Sequence, residues 1–140
     1  MTVLYTAVAT ASSGRDGRVK SSDGVIDLAV VTPPGMGGPG NGPAGTNPEQ
    51  LFAAGYSACF GGALRLVALK QKVNPAGFTT TAHVSFVKEG NDFGIAVEMH
   101  ATLPGLPKEQ AQALVEAAHQ VCPYSRATRG NIPVTLVVDA

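Results

Sequence analysis

At 140 residues the chain is long enough to bury a core without disulfide or metal staples, and it reads as one domain spanning residues 1–140. Only 14% of its residues are charged, against a typical quarter, and the formal net charge is zero; the chain has more apolar surface than one small domain hides, so an obligate oligomer is expected. It has no basic stripe and no like-charge run to follow a nucleic-acid backbone, which argues against nucleic acid as a partner.

The opening MTVLYTAVATASSG lacks the basic n-region of a secretory leader. Residues 2–11 alternate in character and run into Ser12-Ser13-Gly14-Arg15-Asp16-Gly17, which predicts a strand and then a tight turn. Residues 19–22 and 25–31 flank Asp23-Gly24, so two more strands around a two-residue hairpin turn complete an antiparallel meander. Residues 33–47, PPGMGGPGNGPAGTN, read as a long connecting loop, because its prolines lack donors and its glycines have too much freedom. That loop has neither the Gly-Lys-Ser/Thr ending of a P-loop nor the spacing of a dinucleotide fingerprint.

The stretch 46–72, TNPEQLFAAGYSACFGGALRLVALKQK, is the centre of the chain. Asn47 suits an N-cap, Pro48 the first helical position, and Asn47 with Gln50 resembles a capping box. No charge follows Glu49 until Arg65, and apolar residues point all round the axis, which predicts a helix buried on every side. Gly55, Gly61 and Gly62 each weaken it by about 1 kcal/mol, so something must approach its backbone closely. Interrupted in this way, it reads as short of membrane length, and a soluble, cytoplasmic protein without membrane contact is expected.

Residues 79–89 and 93–103 flank Gly90-Asn91-Asp92 as a hairpin. Its second strand puts Phe93, Ile95, Val97, Met99, Ala101 and Leu103 on one face, with Glu98, His100 and Thr102 on the other. Pro107 opens a second helix whose buried face follows Ala111, Leu114, Val115, Ala118, Val121 and Cys122, and Pro123 ends it. Residues 132–138 form a last strand, with Pro133 confining it to an edge or a strand end. The predicted class is α/β (α+β), ordered βββ-α-ββ-α-β.

Cys59 and Cys122 are the only cysteines. Each reads either as a small core hydrophobe or as a reactive thiol, and a bridge between them requires Cα atoms within about 7 Å. An apolar pocket alone raises a thiol pKa, so reactivity needs a positive neighbour. Arg15 is either that neighbour or a solvated turn charge. Glu49 has its own ordinary role in the dipole of its helix. It lies ten residues from Cys59, about 15 Å along a helix, so within one chain it reaches the sulfur only through a long side chain such as arginine. The alternative is that it comes from a second subunit. His119 and Cys122 could put two metal ligands on one helix face, too few for structural zinc, and no metal is expected. His83 and His100 fall on polar strand faces. Neither a Cys-x-x-Cys motif nor a Gly-x-Ser-x-Gly elbow occurs.

Three blocks, ASSGRDGRVKSSDG, GTNPEQLFAAGYSACFGGAL and VCPYSRATRGNIPV, closely resemble the organic hydroperoxide resistance proteins of the OsmC/Ohr superfamily, in order and spacing across essentially the full chain. The resemblance implies a thiol peroxidase that reduces alkyl and fatty-acid hydroperoxides. The implied architecture is an intertwined homodimer whose long central helices are wrapped by antiparallel sheets. Carried over position by position, Cys59 is the peroxidatic cysteine, Cys122 the resolving one, Arg15 the thiolate-stabilising arginine and Glu49 the carboxylate that holds it. No bound cofactor is implied; the electron donor is a dithiol, dihydrolipoyl groups on a lipoylated protein. Phe52, Tyr56 and Phe60 are candidates for an apolar pocket mouth. The GRDG, FAAGYSACF and CPYS blocks look more like the Ohr branch than the osmotically induced OsmC branch. Arg126 departs from the family, which commonly has asparagine there. The competing readings are a non-catalytic module for an apolar ligand and a redox sensor.

Overall fold

The computed structural model of the chain describes residues 1–39 and 45–139. Among these, six strands form two three-stranded sheets, with three α-helices and a one-turn 3-10 helix at Pro34–Met36, in the mixed α/β (α+β) class expected. The chain divides into two compact units, Met1–Leu51 and Phe52–Ala140.

In the first unit, β1 (Ala9–Ser12), β2 (Gly17–Ser21) and β3 (Asp27–Val30) make the antiparallel meander. Two expectations change. The first strand is confined to Ala9–Ser12, preceded by one further backbone bond from Ser22 N–H to the Val8 carbonyl; Val3, Leu4, Tyr5 and Val8 stay exposed. The second turn is wider than two residues: Ser21 N–H donates to the Ile26 carbonyl, and the Asp23 carboxylate accepts from Ser21 Oγ and Val25 N–H across the loop. The short side chain of Asp23 thus closes the loop locally, in the manner of an Asx turn. Of the expected 33–47 loop, residues 40–44 lie outside the described residues, and Pro34–Met36 forms its single helical turn. The loop returns to β3 at Thr46, whose N–H donates to the Ala29 carbonyl and whose carbonyl accepts from Val31 N–H.

Helix α1 (Pro48–Lys70) starts where the sequence predicts, with Asn47 Oδ1 accepting the Gln50 N–H at 2.8 Å. At 23 residues it is long and apolar enough to cross a membrane by length and composition, which corrects the expectation that it falls short. Its burial is also one-sided. Tyr56, Phe60, Leu64 and Ala68 are fully buried, while Ala54, Ala58, Gly62, Leu66 and Leu69 are exposed, because one chain covers only one face of the helix.

The second unit holds the core. Its sheet is ordered β4 (Thr79–Glu89), β5 (Asp92–Thr102), β6 (Val134–Asp139), antiparallel across a Gly90-Asn91 turn and then parallel. Val97, Met99, Ala101 and Leu103 point inward, as their alternation predicts, and join the buried face of α1. Helix α2 (Lys108–Val121) adds Ala111, Leu114, Val115 and Ala118. Val121 was expected in that stripe but is exposed, because the helix ends there and the extended Cys122 takes the inward direction. A six-residue helix that the periodicity did not predict, α3 (Pro123–Thr128), follows immediately with Pro123 at its first position.

Candidate active site

Arg15 sits on a turn whose shape its neighbours dictate. Ser13 and Gly14 both adopt left-handed backbone, and a Cβ on Gly17 would lie 1.8 Å from the Ser12 carbonyl oxygen, so only glycine closes the turn. The Asp16 carboxylate accepts from Thr32 N–H and Oγ1, anchoring the turn beyond the end of β3. From there Arg15 reaches the first turn of α1 and grips Glu49 with both arms, Nη1 to Oε2 at 2.9 Å and Nη2 to Oε1 at 2.7 Å. Such a fork fixes the guanidinium plane as well as its position. The Arg15 hydrogen bonds hold the Glu49 carboxyl below the usual carboxylate range, against the opposing effect of burial. Glu49 is therefore ionised at neutral pH.

The two cysteines meet in the second unit. Cys59 lies half-buried on α1, and Cys122 is fully buried at the joint where α2 ends and α3 begins. Both are thiols, with the Cys122 Sγ–H donating towards Cys59 Sγ at 3.7 Å. Burial is the largest influence on Cys59 and pushes its thiol above the ordinary 9.0; the Tyr124 backbone N–H opposes this, and neighbouring Cys122 adds to the rise. These surroundings favour the neutral thiol over the thiolate. The surroundings given by the second unit favour contact between the sulfurs and disfavour the thiolate.

Of the aromatic candidates, Phe52 is partly buried while Tyr56 and Phe60 are fully buried core residues. Phe52 meets Tyr56 edge-on at 6.0 Å between ring centroids, and Tyr124 lies against both rings. Gly55 makes that packing possible, since a Cβ there would come within 2.8 Å of the Tyr124 hydroxyl. Gly61 allows a comparably close approach by Thr80, whose Oγ1 donates to the Ser57 carbonyl. A Cβ on Gly62 would meet nothing within 4 Å.

One group went unremarked in the sequence. The Tyr56 hydroxyl is 2.7 Å from Ser125 Oγ and 3.1 Å from Thr128 Oγ1, and His119 Nδ1 lies 2.8 Å from the same Ser125 oxygen. The available signal was the Tyr-Ser pair just after Cys122-Pro123, but hydroxyl partners 69 and 72 residues away leave no trace in local spacing. On the outer sheet face His83 is exposed and its ring lies tilted against that of His100 at 4.6 Å between centroids, and His100 in turn bonds Glu98.

The OsmC-like protein family model matches residues 38–137. This chain belongs to the OsmC/Ohr family. As an OsmC/Ohr protein it is 52% identical over 137 residues to the organic hydroperoxide resistance protein of Xanthomonas axonopodis pv. citri (strain 306), covering 97% of this chain and 95% of that protein. Its fold is similar to the crystal structure of an organic hydroperoxide resistance protein from Elizabethkingia anophelis, with TM-score 0.90 and 53% identity over 99% of each chain. It is similar too to OhrB of Bacillus subtilis, with TM-score 0.88 and 46% identity over 98% of this chain and 100% of that one. The OsmC/Ohr fold thus agrees with the resemblance in the three sequence blocks.

Proposed function

We propose that this chain is a thiol peroxidase that reduces organic hydroperoxides to alcohols and is recycled by a dithiol. The observation that carries the reading is the pair of thiols at 3.7 Å, delivered by two separate elements of one core. The full-length likeness to proteins named for organic hydroperoxide resistance supplies the substrate class. In the proposed cycle the Cys59 thiolate attacks the terminal peroxide oxygen. The O–O bond breaks, the alkoxide takes a proton and leaves as alcohol, and Cys59 becomes a sulfenic acid. Cys122 then attacks the Cys59 sulfur; hydroxide leaves, takes up the Cys122 proton as water, and a Cys59–Cys122 disulfide remains. A dihydrolipoyl dithiol on a carrier protein restores both thiols by exchange, which suits a reducing compartment such as the cytoplasm.

Because burial and Cys122 both raise the Cys59 pKa, the cycle needs a cation to hold the thiolate. In this reading Arg15, aligned by Glu49, supplies it. Phe52, Tyr56 and Phe60 form the apolar wall for the peroxide's tail, Phe52 nearest solvent and the other two behind it. Four buried carbons at about 0.8 kcal/mol each favour tert-butyl hydroperoxide over hydrogen peroxide by about 200-fold in kcat/KM. Turnover of both peroxides with dihydrolipoamide tests this. Equal efficiencies would defeat the apolar site, and turnover with neither would defeat the peroxidase.

The working form in this reading is a homodimer. Ala54, Ala58, Gly62, Leu66 and Leu69 form a bare stripe of small and aliphatic residues at helical spacing on α1, with Leu66 and Leu69 49% and 54% exposed. The alternating residues 1–7 likewise lie outside the strand pairing among the described residues and leave Val3, Leu4 and Tyr5 exposed. A second copy is the occupant that suits so charge-poor a sequence. Sedimentation should give twice the chain mass for the parent and the single-chain mass for Leu66→Glu/Leu69→Glu; a monomeric parent would rule the dimer out.

A further inference from the structure

Tyr56 lies one helical turn before Cys59 on α1, and Ser125 lies one turn after Cys122 on α3. The 2.7 Å hydrogen bond between their hydroxyl oxygens therefore joins the same two elements that the sulfurs must join. We propose that Tyr56 and Ser125, braced by His119 and Thr128, form a clamp that holds Cys122 within striking distance of Cys59 and so sets how readily the pair closes into a disulfide. Ser125 is on this view a positioning residue, acting on the sulfurs through the backbone of α3. The inference rests on the two-thiol reading above.

The geometry gives the clamp three arms. Cys122 has extended backbone, φ −67° and ψ 123°, between two helices, so the direction of its side chain follows the orientation of α3. Helix α3 is held at its middle by Ser125 to Tyr56 and His119, and at its last residue by Thr128 to Tyr56. Beyond it, Arg129 Nη1 donates to the His119 carbonyl at 2.8 Å. Ser125 and Tyr56 are fully buried, and among the described residues no buried side-chain polar atom lacks a partner. With His119 Nδ1 unprotonated, the Ser125 hydroxyl donates to it, and Ser125 Oγ then accepts from the Tyr56 hydroxyl. The sulfurs rest at 3.7 Å and must close by about 1.6 Å to bond. A tether one turn away on each side limits how far they drift apart between encounters. It thereby raises the effective concentration of one thiol at the other.

The test needs no peroxide. The full-length protein is equilibrated anaerobically with glutathione and its disulfide; each Cys59–Cys122 bridge formed consumes one glutathione disulfide and releases two glutathione thiols. Remaining protein thiols are alkylated and the oxidised fraction is read by mass. Ser125→Ala and Tyr56→Phe should each shift the equilibrium constant about fivefold or more towards the thiols. The double variant should shift it by less than the sum of the single changes, since the two share the Tyr56–Ser125 bond. Leu114→Ala, eight residues before Cys122 on α2 and outside the clamp's hydrogen bonds, should lower thermal stability and leave the constant in place. Folded Ser125→Ala and Tyr56→Phe proteins with the parent constant would overturn the clamp, as would an equal shift in Leu114→Ala. Should Ser125→Ala fail to fold, Tyr56→Phe decides alone. A parent that closes the bridge normally yet reduces no peroxide would sink the peroxidase reading and leave the clamp standing.

Discussion

Cys59→Ser is expected to lower peroxide turnover by about 10³-fold or more, whereas Cys122→Ser should consume one equivalent of peroxide per chain and then stop. The asymmetry follows from the roles proposed for the two sulfurs. A serine hydroxyl at position 59 is almost wholly protonated and a poor nucleophile, so the O–O bond is never attacked. A serine at position 122 leaves that first attack intact but cannot displace hydroxide from the sulfenic acid. Held half-buried on α1, the sulfenic acid would meet further peroxide and advance to sulfinic acid, which thiols do not reverse. Rapid-mixing measurement of peroxide loss, with mass analysis of the tryptic peptide carrying Cys59, reads both outcomes. Sustained turnover by Cys122→Ser with a dithiol would show that exogenous thiol resolves the sulfenic acid directly. Activity in Cys59→Ser would exchange the roles.

Arg15→Ala carries the second large effect. The environment described for Cys59 raises its pKa above 9.0, so a working thiolate at neutral pH depends on a positive charge that residues 52–139 do not place among its influences. If Arg15 supplies that charge, the alkylation midpoint of Cys59 in the parent lies well below 9.0. Removing an opposite charge at close range raises a midpoint by about one to three pH units. Each unit lowers the thiolate fraction at pH 7 about tenfold, so the peroxide step slows by about 10- to 1000-fold. The sign has a further consequence: the loss should shrink as pH rises towards the new midpoint. A loss that persists at high pH would move the action of Arg15 from the sulfur to the peroxide, and an unchanged profile would remove Arg15 from the mechanism. Glu49→Gln should give a smaller rise, because it keeps the fork's shape but gives up the charge-assisted hold on the guanidinium seen at 2.7 and 2.9 Å.

Features with a local cause were readable before any coordinates. Asn47-Pro48 starts α1 because an amide oxygen and a fixed φ act within one turn of chain. Likewise the alternation sorts Val97, Met99, Ala101 and Leu103 onto a buried face because a strand's period is two, although Phe93, expected on the same face, is 65% exposed at the start of β5. The wider turn at Asp23 was missed because a two-residue signal competes there with a side-chain hydrogen bond. Helix α3 was missed because six residues are too few for a period to appear. The bare face of α1 was misjudged because composition reports that surface must be covered and does not report by what.

What the sequence determined alone is therefore the order of the longer elements, most of the inward residues of β5 and α2, and the family to which the three blocks belong. That Cys122 comes to rest 3.7 Å from Cys59 across a separation of 63 positions, and that the Tyr56 hydroxyl finds Ser125, was decided by tertiary structure. The physical reason is one of range: capping, alternation and turn chemistry act over a few residues. The meeting of two sulfurs depends instead on how α1, β5 and α2 exclude water from one shared core.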